Sequence, residues 1–370
     1  MMADNRVLIY DTTLRDGAQA EGVTFSPVSK IHVAQMLDSF GVDYIEGGFA
    51  ASNPKDMAFF RDIKKVKLKH AKIAAFGSTR RAGIAVEEDR GAQALLEADT
   101  EVCTIFGKSW LLHVEDVLKT TAEENLAMIE DTCRFLKSHG KEVIYDAEHF
   151  FDGYKDAPEY ALKTLAAAKT GGADVLVLCD TNGGCLSHEV YEITSVVKKT
   201  FEMAVGAHTH NDSETGVANA MEAVRAGAVH VQGTINGFGE RCGNCNLVSV
   251  VANLIRKTDK TCLVDPEQLK NLKAVSQFVN EQANLRDNQR AAYVGDSAFA
   301  HKAGMHVDGV RKVAVSFEHV PPDSVGNSRR ILISELSGAS NVMEKLLEMG
   351  LQNIDRKSPE IREILSKMEQ

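Results

Sequence analysis

The sequence predicts an α/β protein built as a (β/α)8 TIM barrel with a smaller, mostly helical C-terminal appendage, and three observations carry that expectation. Eight short β-branched runs alternate with amphipathic stretches of helical length through the first two thirds of the chain. Several of the helical stretches end in glycine, as helices commonly do. The eight units fill roughly 255 residues, the usual extent of such a barrel. A doubly wound sheet is the weaker alternative.

Taken in order, the strand candidates are VLIYD (7–11), YIEGGF (44–49), KIAAFGS (72–78), VCTIFGK (102–108), VIYDAEH (143–149), VLVLCDT (175–181), VGAHTHN (205–211) and HVQGTING (230–237). Between them lie helix candidates such as SKIHVAQMLDSFG (29–41), TAEENLAMIEDTCRFLKSHG (121–140), EYALKTLAAAKTGG (159–172) and TGVANAMEAVRAGA (215–228). After about residue 258 the alternation stops. The barrel is therefore assigned to 1–262, and a linker and subdomain to 263–327. A helical C-terminal subdomain follows at 328–370, the division falling near the two prolines of PPDSVGN (321–327).

The chain has 370 residues, 44% hydrophobic and 25% charged, an ordinary globular composition. Its net charge is -10 and its basic runs, KKVKLKHAK (64–72) and Arg329–Arg330, are short, which argues against a nucleic-acid partner. The N-terminus lacks a signal-peptide pattern, and no apolar run approaches the ~18 residues needed to cross a bilayer. A cytoplasmic protein with no membrane partner is expected. Seven scattered cysteines suit a reducing compartment better than a disulfide framework.

Chemistry in a (β/α)8 barrel gathers at the C-terminal ends of the strands, and the polar residues of this chain gather there. DTTLRDG (11–17) follows the first strand, Glu46 lies on the second, Glu148 on the fifth, Asp180 and Thr181 on the sixth, His208 and His210 on the seventh, and Asn236 and Glu240 after the eighth. In a strand, residues i and i+2 share a side, so His208 and His210 project together while Thr209 faces away. An isolated HxH is more often a core histidine beside a loop histidine. The strand end, the following Asn211–Asp212 and the acidic groups on other strand ends favour a metal here. Asp16 is the natural carboxylate partner, with Arg15 beside the cation. Two imidazoles and a carboxylate leave positions for water and substrate, and suit Mg, Mn, Zn or Co in a Lewis-acid role. The CGNC run, Cys242 to Cys245, is read as small packing residues, because a lone CxxC is weak evidence for zinc.

DTTLRDG (11–17), HTHND (208–212), NGFGERCGN (236–244) and HKAGMHVDG (301–309) together resemble the metal-dependent acyl-CoA condensing enzymes that include 2-isopropylmalate, homocitrate and citramalate synthases. The resemblance spans nearly the whole chain with the motifs in the family's order. YIEGGFAASNPKDMAFF (44–60) and FGKSWLLHV (106–114) look most like the citramalate branch, which condenses acetyl-CoA with pyruvate. The resemblance implies Asp16, His208, His210 and Asn244 as metal ligands, and Arg15 and Thr181 as binders of the 2-keto acid. It implies Glu148 or His306 as the base, with Asp308 beside His306 in a segment that usually reaches the partner subunit's site. It also implies acetyl-CoA as co-substrate and a homodimer. Glu46 is read as a support for Arg15 at the substrate site or as a structural residue, and His113 as a substrate contact or a helix cap. Glu240 and Arg241 either serve the site or tie the loop after the eighth strand.

The chain departs from the family in three ways. Phe317 stands where a tyrosine is often found, Cys242 and Cys245 replace small residues, and the sequence ends at Gln370, where many relatives continue into a C-terminal regulatory domain, so that a short or truncated form, or one insensitive to feedback, is expected. The alternatives are a 2-isopropylmalate synthase, a metal-dependent hydroxy-ketoacid aldolase or lyase on the same barrel, and a catalytically silent barrel that binds metabolite. HKAGMHVDG argues against the aldolase, and the full set of site residues against the silent barrel.

Overall fold

Strands that are covered on both faces read as apolar runs, and the eight runs of this chain close on one another in sequence order. They are β1 (Leu8–Asp11), β2 (Tyr44–Phe49), β3 (Lys72–Ser78), β4 (Val102–Lys108), β5 (Glu142–Glu148), β6 (Val175–Asp180), β7 (Ala204–Thr209) and β8 (His230–Gly233). All pairings are parallel, and β1 joins β8 through Leu8 opposite His230 and Asp11 opposite Gly233. In this computed structural model, residues 5–332 are described except 53 and 303, and beyond them residues 346, 350, 351 and 358–368. All eight predicted strands are present, the last ending earlier than its apolar run suggested.

The intervening helices are α1 (Pro27–Phe40), α2 (Pro54–Ile63), α3 (Arg90–Glu97), α4 (Ala122–Ser138), α5 (Phe150–Asp156), α6 (Pro158–Thr170), α7 (Ser187–Phe201), α8 (Gly216–Arg225) and α9 (Leu247–Lys257), with α10 (Leu272–Gln282) after the barrel. Their ends follow local chemistry. The Ser26 hydroxyl caps α1 by accepting from the Ser29 amide, and the helix stops at Gly41 in the left-handed region at φ 101°. Thr121 caps α4 in the same way through the Glu124 amide. The consecutive glycines of β2 are demanded by packing: a Cβ on Gly47 would stand 2.2 Å from the Phe59 ring of α2, and one on Gly48 2.5 Å from Asp56. The register shift between Glu46 and Gly48 lies at the same place, and Glu46 is wholly buried.

Inside the barrel the strand period of two sorts the side chains by height. Tyr10, Tyr44, Ala74, Val102, Ile144, Val175 and Val177 form one buried apolar cluster. Two residues further along four of the strands the inward side chains turn polar: Glu46 after Tyr44, Thr104 after Val102, Asp146 after Ile144, and Gln232 after His230. Packing therefore closes the N-terminal end, and hydrogen bonding organises the C-terminal end.

By contacts the chain divides into two units, one of residues 1–268 and 275–286, the other of residues 269–274 and 287–370. The second holds a two-stranded parallel sheet, β9 (Ala300–His301) and β10 (Arg330–Ile331), and helices α11 (Gly304–Lys312) and α12 (Pro359–Met368). Buried Glu318 ties this unit together, with His301 Nε2 at 3.2 Å and two Arg329 nitrogens at 2.7 Å. Most of the helical subdomain expected at 328–370 lies outside the described residues. No helix among the described residues is long and apolar enough to cross a membrane.

His230 sits in the apolar layer between Tyr10 and Tyr44, at 5.4 and 5.6 Å between ring centres, and neither of its ring nitrogens has a hydrogen-bond partner. Burial pushes its pKa down to about 3. Between that value and the ~6.5 of an unfolded histidine, the unfolded chain binds a proton that the folded one refuses. The contribution of neutral His230 is complete above pH ~6.5 and is lost as the pH falls through that window. His230→Leu is expected to flatten the dependence of unfolding free energy on pH by up to ~1.4 kcal/mol per unit between pH ~6 and ~4. Urea denaturation at three pH values checks this, and an unchanged slope refutes it.

Candidate metal centre

His208 is the inward residue near the end of β7, and His210 follows just past the strand. Thr209 turns away between them, its hydroxyl donating to the Gly216 carbonyl at 2.8 Å. His210 is held by its amide to the Asp180 carbonyl at 3.3 Å and by a backbone bridge to Asn244. The two Nε2 atoms lie 3.2 Å apart. Asp16 stands in the turn after β1, five residues beyond the strand, and brings its Oδ2 to 3.3 Å from His208 Nε2. β8 lies between β1 and β7 in the wall, so the carboxylate reaches the imidazoles across a strand. Asp16, His208 and His210 are 5–6% exposed, and one ligand atom of each falls within 4.8 Å of the others.

The residues fit a divalent cation. Two imidazole nitrogens and a carboxylate oxygen converge on one point, each able to offer a lone pair, which is the donor set of a divalent-cation site. Separations of 3.2 and 3.3 Å are those expected between ligands at ~2.1 Å from a common ion. The Asn244 side-chain amide lies beside the group, its Nδ2 donating to Asp16 Oδ2 at 2.7 Å and standing 3.4 Å from His208 Nε2. Gly239 makes room for it, since a Cβ there would stand 1.9 Å from Asn244 Oδ1. Of the cysteines beside it, Cys242 is exposed and Cys245 buried.

Arg15 forms the positive flank. Its Nε donates to Glu46 Oε2 at 2.6 Å, its Nη1 lies 3.3 Å from Asp16 Oδ1, and its guanidinium covers the Phe76 ring at 3.7 Å. Glu46 also accepts from the Tyr10 hydroxyl at 2.7 Å and from the Thr12 hydroxyl. These contacts set the charges. Burial alone would raise the Asp16 pKa, but Arg15 and His208 hold it well below the usual carboxylate range. Burial alone would lower that of His208, but Asp16 raises it, while burial and His208 together push His210 down to about 3. Burial raises Asp146 to about 7, against the pull of His208.

A cavity of about 250 Å³ opens over this group. Arg15, Asp16, His208 and His210 form its polar floor, and Phe49, Phe76 and Phe106 an aromatic wall in which Phe76 and Phe106 stack at 5.3 Å. Glu148, paired with Lys108, and Thr181 also line it. Thr181 Oγ1 accepts from the His149 amide at 2.9 Å. Glu240 and Arg241 close the rim, with Arg241 bonded to Asp212 at 2.8 and 3.0 Å and to the Thr181 carbonyl at 2.8 Å.

Glu46, His113 and Asn236, in the same unit, are not among the residues that line the cavity. Glu46 lies behind Arg15, wholly buried. His113 packs on Trp110 and His149, with ring centres at 5.2 and 4.3 Å, outside the lining. Asn236 is turned to Ser276 and Asn280. His306 and Asp308 lie on α11 of the second unit. His306 is exposed beside the Phe317 ring at 4.5 Å, and Asp308 pairs with Lys312 at 2.6 Å.

Sequence reasoning passed over Asp146, Gln232 and the three phenylalanines. Asp146 precedes Glu148 by two residues and so shares its inward side, and Gln232 is a polar residue at an inward position of β8. Asp146 shared the strand side of a noted residue, whereas Gln232 had no noted residue two positions away.

Fold and site together define a TIM-barrel protein with a candidate divalent-cation centre at the C-terminal ends of its strands. A family model described as HMGL-like matches residues 6–279, and one described as homocitrate synthase post-HMGL domain-like matches residues 293–370. The chain is 55% identical to the (R)-citramalate synthase of Aquifex aeolicus and 52% to that of Geobacter sulfurreducens, over 99% and 98% of its length and 69% of each relative. It is 33% identical to a 2-isopropylmalate synthase of Methanocaldococcus jannaschii, over 94% of the chain and 64% of that protein. A solved structure of Bacillus subtilis HMG-CoA lyase, 20% identical, superposes with a TM-score of 0.65 over 76% of this chain and 95% of its own, a likeness of fold. The chain belongs to the HMGL-like family that holds the 2-isopropylmalate, homocitrate and citramalate synthases. Within it, the similarity is far greater to the citramalate synthases than to the 2-isopropylmalate synthases.

Removing one partner of a buried ion pair strands the other charge, at a cost of ~3–5 kcal/mol. Glu46→Ala is expected to lower unfolding stability by ~3–5 kcal/mol, measured by urea denaturation, whereas Glu240→Ala at the exposed rim should change it by less than ~0.5 kcal/mol.

Proposed function

We propose that this protein condenses acetyl-CoA with pyruvate to form (R)-citramalate and free CoA. The observation that carries the reading is the buried Asp16–His208–His210 cluster beside Arg15, set in the floor of a small cavity with a phenylalanine wall. The similarity to (R)-citramalate synthases supports the choice of substrates.

Asp16, His208, His210 and Asn244 would hold a divalent cation, Mg, Mn, Zn or Co, which when bound supplies a Lewis acid for a ketone oxygen. Arg15, fixed by Glu46, presents its guanidinium to the same oxygen, so that negative charge developing there meets a positive group already in place. The Thr181 hydroxyl binds the keto-acid carboxylate. Glu148 takes a proton from the acetyl methyl group, and the resulting carbon adds to the ketone carbon while the C=O π pair moves onto the oxygen, which then takes back a proton to become the product hydroxyl. Water then cleaves the thioester, giving the carboxylate of the product and the CoA thiol.

For His306 and Asp308 the support is the family resemblance, since within their own unit they have local partners, Phe317 and Lys312. A homodimer is proposed on the same ground, and a reducing compartment such as the cytoplasm on the seven unpaired cysteines. The aromatic wall gives the physical reason for pyruvate: Phe76 and Phe106 occupy volume that a longer keto-acid side chain would need, and each extra methylene is worth ~1–3 kcal/mol of discrimination.

Thiol release from acetyl-CoA with a panel of 2-keto acids tests the reading. Pyruvate is expected to exceed 2-ketoisovalerate by ~10-fold or more in kcat/KM, with activity lost on chelation and restored by added divalent metal. No thiol release with any keto acid sinks the proposal. Glu148→Ala is expected to lower kcat by ~100- to 10,000-fold while Mn binding is kept. Phe106→Ala should narrow the preference for pyruvate by ~10-fold, read from the same panel.

A further inference from the structure

We infer that Asp146 and Gln232 are positioning residues that hold His208 in the one tautomer able to bind a cation. The inference rests on the metal-centre reading of Asp16, His208 and His210. His208 Nδ1 lies 2.8 Å from Gln232 Oε1, and Gln232 Nε2 donates to Asp146 Oδ1 at 2.8 Å. His208 and Gln232 stand opposite each other in the register of β7 and β8. Asp146, on β5, reaches Gln232 across the interior, since β6 and β7 separate β5 from β8 in the wall. Gln232 is 1% and Asp146 3% exposed.

The chain of bonds has a direction. In its carboxylate form Asp146 only accepts hydrogen bonds, so it draws the amide nitrogen of Gln232 toward itself, as the 2.8 Å contact shows, and leaves the amide oxygen facing His208. That oxygen also only accepts, and it therefore requires the proton of the imidazole on Nδ1. Nε2 is left with its lone pair, and Nε2 is the atom that faces Asp16 Oδ2 and His210 Nε2. Turning the Gln232 amide over would set its NH2 against Nδ1, move the proton to Nε2 and leave no ligand atom at the centre. Partners of this kind behind a metal-binding histidine typically account for ~10- to 100-fold in metal affinity.

The test is calorimetric titration of Mn into the chelator-stripped full chain, with thermal melting of each variant. Gln232→Met keeps the volume and removes both bonds; we expect affinity to fall by ~10- to 100-fold. Gln232→Glu sets two carboxylates against each other and should also bind weakly. Adding Asp146→Asn to Gln232→Glu exchanges donor and acceptor: the introduced amide donates to the introduced carboxylate, which still accepts from Nδ1. The double exchange should recover most of the affinity lost in Gln232→Glu. Gln232→Met that binds Mn as tightly as the unaltered chain overturns the inference. If Gln232→Met does not melt cooperatively, the double exchange decides alone, and a folded double variant that binds no better than Gln232→Glu overturns it. An unaltered chain that binds no Mn would instead overturn the metal-centre reading itself.

Discussion

The Asp16 carboxylate lies out of water between a guanidinium and two imidazoles, and the rest of the site is arranged around that constraint. A carboxylate with so little exposure persists in its charged form only where positive or hydrogen-bonding groups replace its hydration. Arg15 does so on one side and His208 on the other. The same demand then passes outward. Arg15 is itself nearly buried and takes Glu46 as its partner, and Glu46 in turn collects the hydroxyls of Tyr10 and Thr12. His208 takes Gln232, and Gln232 takes Asp146.

This is why the inward layer of the barrel changes character along most of its strands. Near the N-terminal ends apolar residues fill the interior, and nothing there has to be compensated except His230, which stays neutral among tyrosines. Two residues further on, five strands contribute Glu46, Thr104, Asp146, His208 and Gln232, each hydrogen-bonded to another inward side chain. A polar layer of this kind is tolerated because it is connected throughout, and half-satisfied it would cost more than an apolar one. The connection also makes the layer rigid, which suits a floor that has to hold ligand atoms close to a common point.

Much of this was legible in the residues. His208 and His210 share a side because a strand repeats every two residues, a strictly local rule, and Asp16 and Arg15 were expected beside them from DTTLRDG. The proposed support of Arg15 by Glu46 has a contact behind it, at 2.6 Å. Asp146 and Gln232 obeyed the same local rule yet carried no visible signal, because a buried aspartate or glutamine in a strand acquires meaning only from what faces it across the barrel. Glu46 and His113 illustrate the converse. Position near a strand end placed both among substrate-site candidates, while packing put Glu46 behind Arg15 and His113 against Trp110 and His149.

By itself the sequence determined the eight β/α units, the strand-end location of the chemistry and the paired histidines, since period, capping and i, i+2 spacing are properties of short segments. Tertiary structure decided which carboxylate meets the imidazoles across β8, which acid holds Arg15, which phenylalanines shape the cavity and which amide orients His208. Those pairings join residues as far apart as 228 positions, Asn244 to Asp16, and they exist only once β1 closes on β8 in one particular register. Barrel closure is a property of all eight strands at once, and no single segment encodes it.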